Sequence, residues 1–296
     1  MLGVLALTLG LASPGNVKVE TVAFEGWQNC LRLSDGVVDA IVVPQIGRIM
    51  RFGYVGKPNL IWVNPNLKGT LPTSSPDWPN FGGDKLWNAP QAVWGWPPDA
   101  SFESSPHDVV VHGNQISLKS PVSKKYGIRF EREITLQGSK LRIKNTLVNA
   151  GTAPVEWAIW QVTQINIPDR VELELSGKKD PNGKLWSFYD PADFPGWVTE
   201  TTRNGKPLLI AKRHPTQAYK LGTDFGNGTI QAWFGTARLT VHIDADQGGM
   251  YPDKNRPRQV YSNPGENLYM ELELNGMIKK IAAGAKIEVS TTLSLD

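Results

Sequence analysis

From Val17 onward the chain is cut into short runs of β-favouring residues separated by clusters of Gly, Pro, Asn and Asp. Lys140-Leu-Arg-Ile-Lys-Asn-Thr-Leu147 alternates polar and apolar residues, the period of a strand with one buried face. Comparable runs are Val37–Pro44, Val109–Leu118, Ile128–Leu136, Lys140–Asn149, Val155–Ile165 and Val171–Leu175. Later ones are Leu208–Lys212, Thr229–Phe234, Leu239–Asp244, Leu268–Leu274 and Lys286–Leu295. Gln137-Gly138-Ser139 and Asn149-Ala150-Gly151 read as hairpin turns between neighbours. No stretch combines helical amphipathicity with a cap, and no segment repeats. The pattern predicts an all-β, antiparallel sandwich.

At 296 residues the chain exceeds a typical domain but stays within the range of large all-β units. No break in composition divides it, so residues 17–296 read as one domain. Asn64–His107 and Lys178–Gly205, rich in Pro, Trp and Gly, are then loop insertions, and loops of that length are usually functional. Ahead of the domain, Leu2–Leu11 is an uncharged apolar run ending in Gly10-Leu11-Ala12. It is too short to span a bilayer and reads as the remnant of a signal peptide, residues 1–16, the alternative being an apolar first strand; the first reading implies export to the periplasm or outside the cell.

Several classes fall away. A net charge of +3 with no dense basic run argues against nucleic acid or an anionic membrane as partner. The single cysteine, Cys30, excludes an internal disulfide and a Cys-rich metal site. His107, His112, His214 and His242 have no zinc-like spacing. Asp244-Ala-Asp-Gln-Gly-Gly249 echoes the opening of a calcium loop, but Asn255 stands where the bidentate Glu belongs, so no metal is assigned. Dinucleotide and phosphate-loop fingerprints are missing too, and no cofactor is expected.

The stretch Asn80-Phe81-Gly82-Gly83-Asp84-Lys85-Leu86-Trp87-Asn88-Ala89-Pro90-Gln91 sets an acid, a base, an indole and amides directly after two glycines. It reads as a binding loop, because charged and amide groups hydrogen-bond hydroxyls and an indole offers a flat face to a sugar ring; the alternative is a tight turn holding an ion pair over a buried Trp. Seven of the eleven tryptophans (Trp62, Trp78, Trp87, Trp94, Trp96, Trp186 and Trp197) lie in or beside the long loops. As a group they suit a saccharide groove better than a core. In Tyr269-Met-Glu-Leu-Glu-Leu-Asn275, Glu271 and Glu273 share one strand face, and their mutual repulsion would raise the pKa of one. In Glu156–Gln164, Trp160 and Gln164 share one face, Gln161 and Thr163 the other. Arg48 and Arg51 leave a strand end and either reach the same opening or stand on the surface.

These segments resemble the galactose mutarotase (aldose 1-epimerase) superfamily. Val42-Val-Pro-Gln-Ile-Gly-Arg-Ile-Met-Arg-Phe52 is similar to its early strand pair. Tyr269–Leu274 followed by Ala283-Gly284 is similar to its late strand. The Gly-Gly-Asp-Lys-Leu-Trp stretch, the Trp-Gln-Val-Thr-Gln strand and Tyr261-Ser-Asn-Pro264 resemble an uncharacterised branch more than the mutarotases proper. The resemblance implies a β-supersandwich with a saccharide site on its concave face. It also implies a late-strand Glu that takes the anomeric proton, best matched by Glu271 and next by Glu273. Lys85 falls where the superfamily often carries a substrate-binding Arg. The superfamily's middle-strand His, which protonates the ring oxygen, is replaced here by Trp160–Gln164.

The expectation is therefore a carbohydrate-recognising, carbohydrate-active protein acting on a mono- or oligosaccharide by mutarotation, hydrolysis or elimination. Glu271, Glu273 and Asp84 are the catalytic candidates. Arg48, Lys85, Trp87, Gln91, Trp160 and Gln164 are the substrate-binding ones. A non-catalytic glycan-binding protein is the alternative, and a structural protein without ligand a third.

Overall fold

The computed structural model describes residues 16–72, 78–179, 183–189, 194, 196–244 and 249–296. The apolar run Leu2–Leu11 and residues 245–248 of the calcium-loop-like stretch lie outside them. In chain order the strands are β1 (Lys18–Phe24), β2 (Trp27–Ser34), β3 (Val38–Val43), β4 (Arg48–Tyr54), β5 (Asp84–Ala89), β6 (Asp108–His112) and β7 (Gln115–Lys119). Next come β8 (Ile128–Gln137), β9 (Lys140–Asn149), β10 (Val155–Ile165), β11 (Arg170–Glu174), β12 (Trp186–Phe188), β13 (Val198–Arg203) and β14 (Lys206–Ala211). The last are β15 (Tyr219–Thr223), β16 (Thr229–Phe234), β17 (Ala237–Asp244), β18 (Arg258–Ser262), β19 (Met270–Asn275), β20 (Lys279–Ile281) and β21 (Lys286–Leu295).

They form two antiparallel sheets. The first runs β1-β2-β3-β4-β5-β10-β19-β18-β15-β12, with β20 beside one end of β10. The second runs β13-β14-β11-β16-β17-β21-β9-β8-β7-β6. Alternation supplies the core. Leu31, Leu33, Phe52, Met270, Leu272 and Leu274 of the first sheet meet Ile134, Leu141, Ile143, Val241 and Leu293 of the second in one buried cluster. Among the described residues helix is confined to single turns such as Ala100–Glu103, and none is long and apolar enough to cross a membrane.

Two local expectations are corrected. Asn149-Ala150-Gly151 is no hairpin, because β9 and β10 belong to different sheets. Asn149 instead ties the crossing down, donating its side-chain amide to Ala153 O at 2.9 Å and Ile281 O at 3.0 Å. Asp84–Ala89 is no loop either: β5 is buried at every position and sits between β4 and β10. Its polar residues are tolerated in the core because each charge has a partner. The glycines before it serve the backbone: Gly82 has φ +93°, and a Cβ there would lie 2.2 Å from Trp62 O.

Val109–Leu118 divides into β6 and β7 around Gly113-Asn114, while Lys140–Asn149, Val155–Ile165 and Thr229–Phe234 keep their expected limits.

Candidate functional site

Strand parity decides which groups meet. Across β5, β10, β19, β18 and β15 the register pairs Lys85 with Val162, Val162 with Glu273, and Glu273 with Gln259. The next row pairs Gln164 with Glu271, Glu271 with Tyr261, and Tyr261 with Lys220. Directly opposed residues share a sheet face. Since Met270, Leu272 and Leu274 point into the inter-sheet core, these rows lie on the face turned away from the second sheet. The strand parity expected from the sequence holds: Glu271 with Glu273, and Trp160 with Gln164, stand on one face.

A cavity of about 320 Å³ opens on that face, walled by Trp78, Trp87, Trp96, Trp160, Tyr261 and Tyr269, with Gln91, Asn263, Lys220 and Glu271 supplying polar groups. The indoles brace one another edge to face. Trp87 lies 4.9 Å from Trp160 and 6.1 Å from Trp96, and Trp78 lies 4.6 Å from Trp96, centroid to centroid. Segments almost two hundred positions apart thus share one hollow, as Trp87 and Glu271 illustrate. Trp186 and Trp197 are engaged elsewhere, Trp186 with Glu200 at 3.0 Å and Trp197 tilted against the His214 ring at 5.1 Å between centroids.

Glu271 is the acidic group of the cavity wall. Its Oε1 accepts from Gln164 Nε2 at 2.8 Å, and among the described residues no protein donor is bonded to Oε2. Burial pushes its carboxyl up to about 7, and the neighbouring Glu273 charge adds to the rise. Glu273 stands behind the wall, fully buried. Trp160 Nε1 and Lys220 Nζ each donate to its Oε2 at 2.8 Å, while Oε1 has no partner among the described residues. Burial raises its pKa as well, against the pull of Lys220. Lys220 Nζ also lies 4.4 Å from the Trp160 ring centre.

Beneath the indoles is a second acid that sequence reading missed. Glu103, in the one-turn helix after the Trp-rich stretch, is buried and accepts from Arg48, Lys85, Trp78 and Trp87. Burial alone would raise its pKa, but Arg48 and then Lys85 outweigh that and hold it below the usual carboxylate range. Lys85 Nζ, 3.1 Å from Glu103 and 4.3 Å from the Trp87 ring centre, is lowered to about 8 by burial. Nothing local in the sequence marks Glu103. Its role depends on a loop returning it beneath β5.

The remaining candidates separate by position. Trp87, Gln91, Trp160 and Glu271 line the cavity, whereas Gln164 and Glu273 support it from behind. Lys85 is a support for Trp78 and Trp87 through Glu103. Arg48 is neither on the surface nor at the opening. It is sealed in, bonded to Glu103 at 2.6 Å and to Gly82 O. Asp84 occupies the opposite face of β5. Its carboxylate is bonded to Arg132 of the second sheet, to Gln161 Nε2 at 2.6 Å and to Thr163 Oγ1 at 2.6 Å. It is thus removed from the catalytic candidates, because one residue of strand parity turns it into the inter-sheet core.

The cavity wall includes no histidine among the described residues. His107 is packed against Gly47 with Nδ1 2.9 Å from Ser105 O, and burial lowers its pKa to about 4.

A family model described as "Domain of unknown function (DUF4380)" matches residues 28–181. No curated protein matches. Among solved structures, a TPR-domain containing protein from Parabacteroides distasonis superposes with a TM-score of 0.57 at 13% identity, over 90% of this chain and 46% of that one. This chain therefore spans about half the length of that protein. A galactose mutarotase-like protein from Lactobacillus casei has a TM-score of 0.57 at 10% identity, over 90% of this chain and 100% of that one. A putative aldose 1-epimerase from Escherichia coli K12 has a TM-score of 0.57 at 12% identity, over 95% and 99%. At such identities the likeness concerns the fold, and the fold is galactose mutarotase-like.

Proposed function

The chain belongs to the DUF4380 family, and on its galactose mutarotase-like fold we propose that it binds a saccharide in the indole-walled cavity, with Glu271 exchanging a proton with the bound sugar. One observation carries the reading. A carboxylate with an oxygen that has no protein donor among the described residues stands in the same wall as four tryptophans, in a cavity of about 320 Å³. That volume is at the low end of small-molecule sites, about 300–1,000 Å³, and fits a ligand of monosaccharide size. Indole faces cover the C–H side of a pyranose, while Gln91, Asn263 and Glu271 meet its hydroxyls. A carboxyl group with a pKa near 7 is present in both protonation states at neutral pH, so it serves as proton acceptor or donor.

Mutarotation is the reaction class closest to this arrangement, with Glu271 as the base toward the anomeric hydroxyl. Binding without turnover is the second reading, favoured by His107 being sealed away from the cavity. One NMR experiment addresses both. Saturation-transfer signals from a panel of hexoses, hexuronic acids and short oligosaccharides report binding, and anomer exchange of freshly dissolved α-glucose and α-galactose reports turnover. Saturation transfer without faster exchange selects the binder; silence across the panel overturns the sugar site itself.

A further inference from the structure

Val109, Val110 and Val111 are 39%, 50% and 41% exposed although they form the middle of a regular strand, β6. β6 ends the second sheet. It pairs with β7, and among the described residues no strand pairs with its other edge. The other terminal strands are blunted: β1 carries Lys18 and Glu20, β13 carries Glu200 and Arg203, and β12 has three residues. Charge and brevity at an edge discourage pairing with another chain, and the centre of β6 has neither.

The phase of the open edge follows from the hairpin. β6 and β7 are joined by Gly113-Asn114, with Gly113 at φ +60° in the first central position, as a type II′ turn requires. The flanking pair His112 and Gln115 then exchanges both backbone hydrogen bonds, and the bonded pairs alternate from there. Val110 is thereby bonded to Ser117, while Val109 and Val111 turn their N–H and C=O groups to the open edge. Their side chains oppose Leu118 and Ile116, which are buried, so these valines lie on the core-facing side without a cover.

We propose that the β6 edge is a self-association surface, on which a second copy of this chain pairs antiparallel about a two-fold axis through Val110. In that register Val109 lies opposite Val111 of the second copy, and the outward backbone groups of both complete a hydrogen-bonded ladder. The uncovered valines of the two copies meet on the core-facing side. On the other side the two Val110 residues meet, flanked by Asp108 of each copy opposite His112 of the other. The segment Asp-Val-Val-Val-His is thus self-complementary, an acid facing a hydrogen-bond donor at both ends, as an isologous contact demands. Sliding the register by one residue sets Asp108 or His112 against a valine and loses this match. Two five-residue strands cover less than a standard interface, so association is weak, with Kd on the order of 10–100 µM.

Sedimentation equilibrium of the full chain from about 5 to about 500 µM tests this. The mean mass should climb from monomer toward dimer. Val110→Lys, which sets two like charges side by side at an exposed position, should weaken association at least about tenfold. Asp108→Lys should weaken it similarly, and the double exchange Asp108→Lys with His112→Asp should restore it, a rescue that general damage to the fold would not give. A monomer mass at every concentration overturns the proposal, as does a dimer that Val110→Lys and Asp108→Lys leave unchanged.

Discussion

Gln164 and Glu271, 107 positions apart in the chain, face each other across the β10–β19 pair with the amide donating to Oε1 at 2.8 Å. The bond fixes the carboxylate plane at the cavity wall and leaves the other oxygen without a protein donor among the described residues. It does not offset burial and the Glu273 charge, which is why the group titrates near 7 rather than in the usual carboxylate range.

Replacing Glu271 with Gln removes the proton-exchanging group while keeping its shape. If the site turns over a sugar, Glu271→Gln should slow anomer exchange by about 10²–10⁴-fold while affinity by saturation transfer changes little. In the parent protein the rate should fall as pH drops through about 7, because the base becomes protonated.

The same substitution should stabilise the fold above neutrality. The folded pKa of Glu271 is raised, so between about 4.5 and 7 the folded state holds more protons than the unfolded one, and stability falls as pH rises. Glu271→Gln removes that loss. Urea melts at pH 8 should show a gain of about 1–3 kcal/mol, and melts at pH 4 almost none.

Asp84→Asn tests whether Asp84 acts in the core or in the site. The carboxylate is paired with Arg132, whose guanidinium also donates to Asn145 Oδ1 at 3.1 Å, and Asn145 reaches Thr291 at 3.0 Å. Removing one partner of a buried pair leaves the other uncompensated, so a loss of about 3–5 kcal/mol in denaturant melts is expected. Sugar affinity of the folded fraction should stay unchanged.

Glu103→Gln should be felt at both levels. Arg48 and Lys85 lose their shared counter-charge, which costs about 3–5 kcal/mol in chemical denaturation. Trp78 and Trp87 donate to different oxygens of Glu103, and Gln keeps only one of them, so one indole N–H faces an NH2 group and the wall loosens. Tryptophan fluorescence should shift in the folded protein, and saturation transfer to any bound sugar should weaken.

Much of this architecture was legible because strand parity is local. Two-residue periodicity put Glu271 beside Glu273 and Trp160 beside Gln164 on shared faces, and alternation in Lys140–Leu147 marked a half-buried strand without reference to any partner. The same rule misled at β5, where both faces are buried and alternation vanishes. A run of Asp84, Lys85 and Trp87 there looked like a loop.

The all-β class, the positions of the long strands and the sharing of a face by neighbouring side chains follow from local backbone geometry, which acts within a few residues. Which face is which depends on how the two sheets and the long loops pack together. Asp84 and Lys85 are adjacent, yet one is clasped by Arg132 from the opposing sheet and the other by Glu103 from a returning loop. Those partners arrive from distant parts of the chain, and their charges, not local propensity, make a buried acid and a buried base tolerable in one strand.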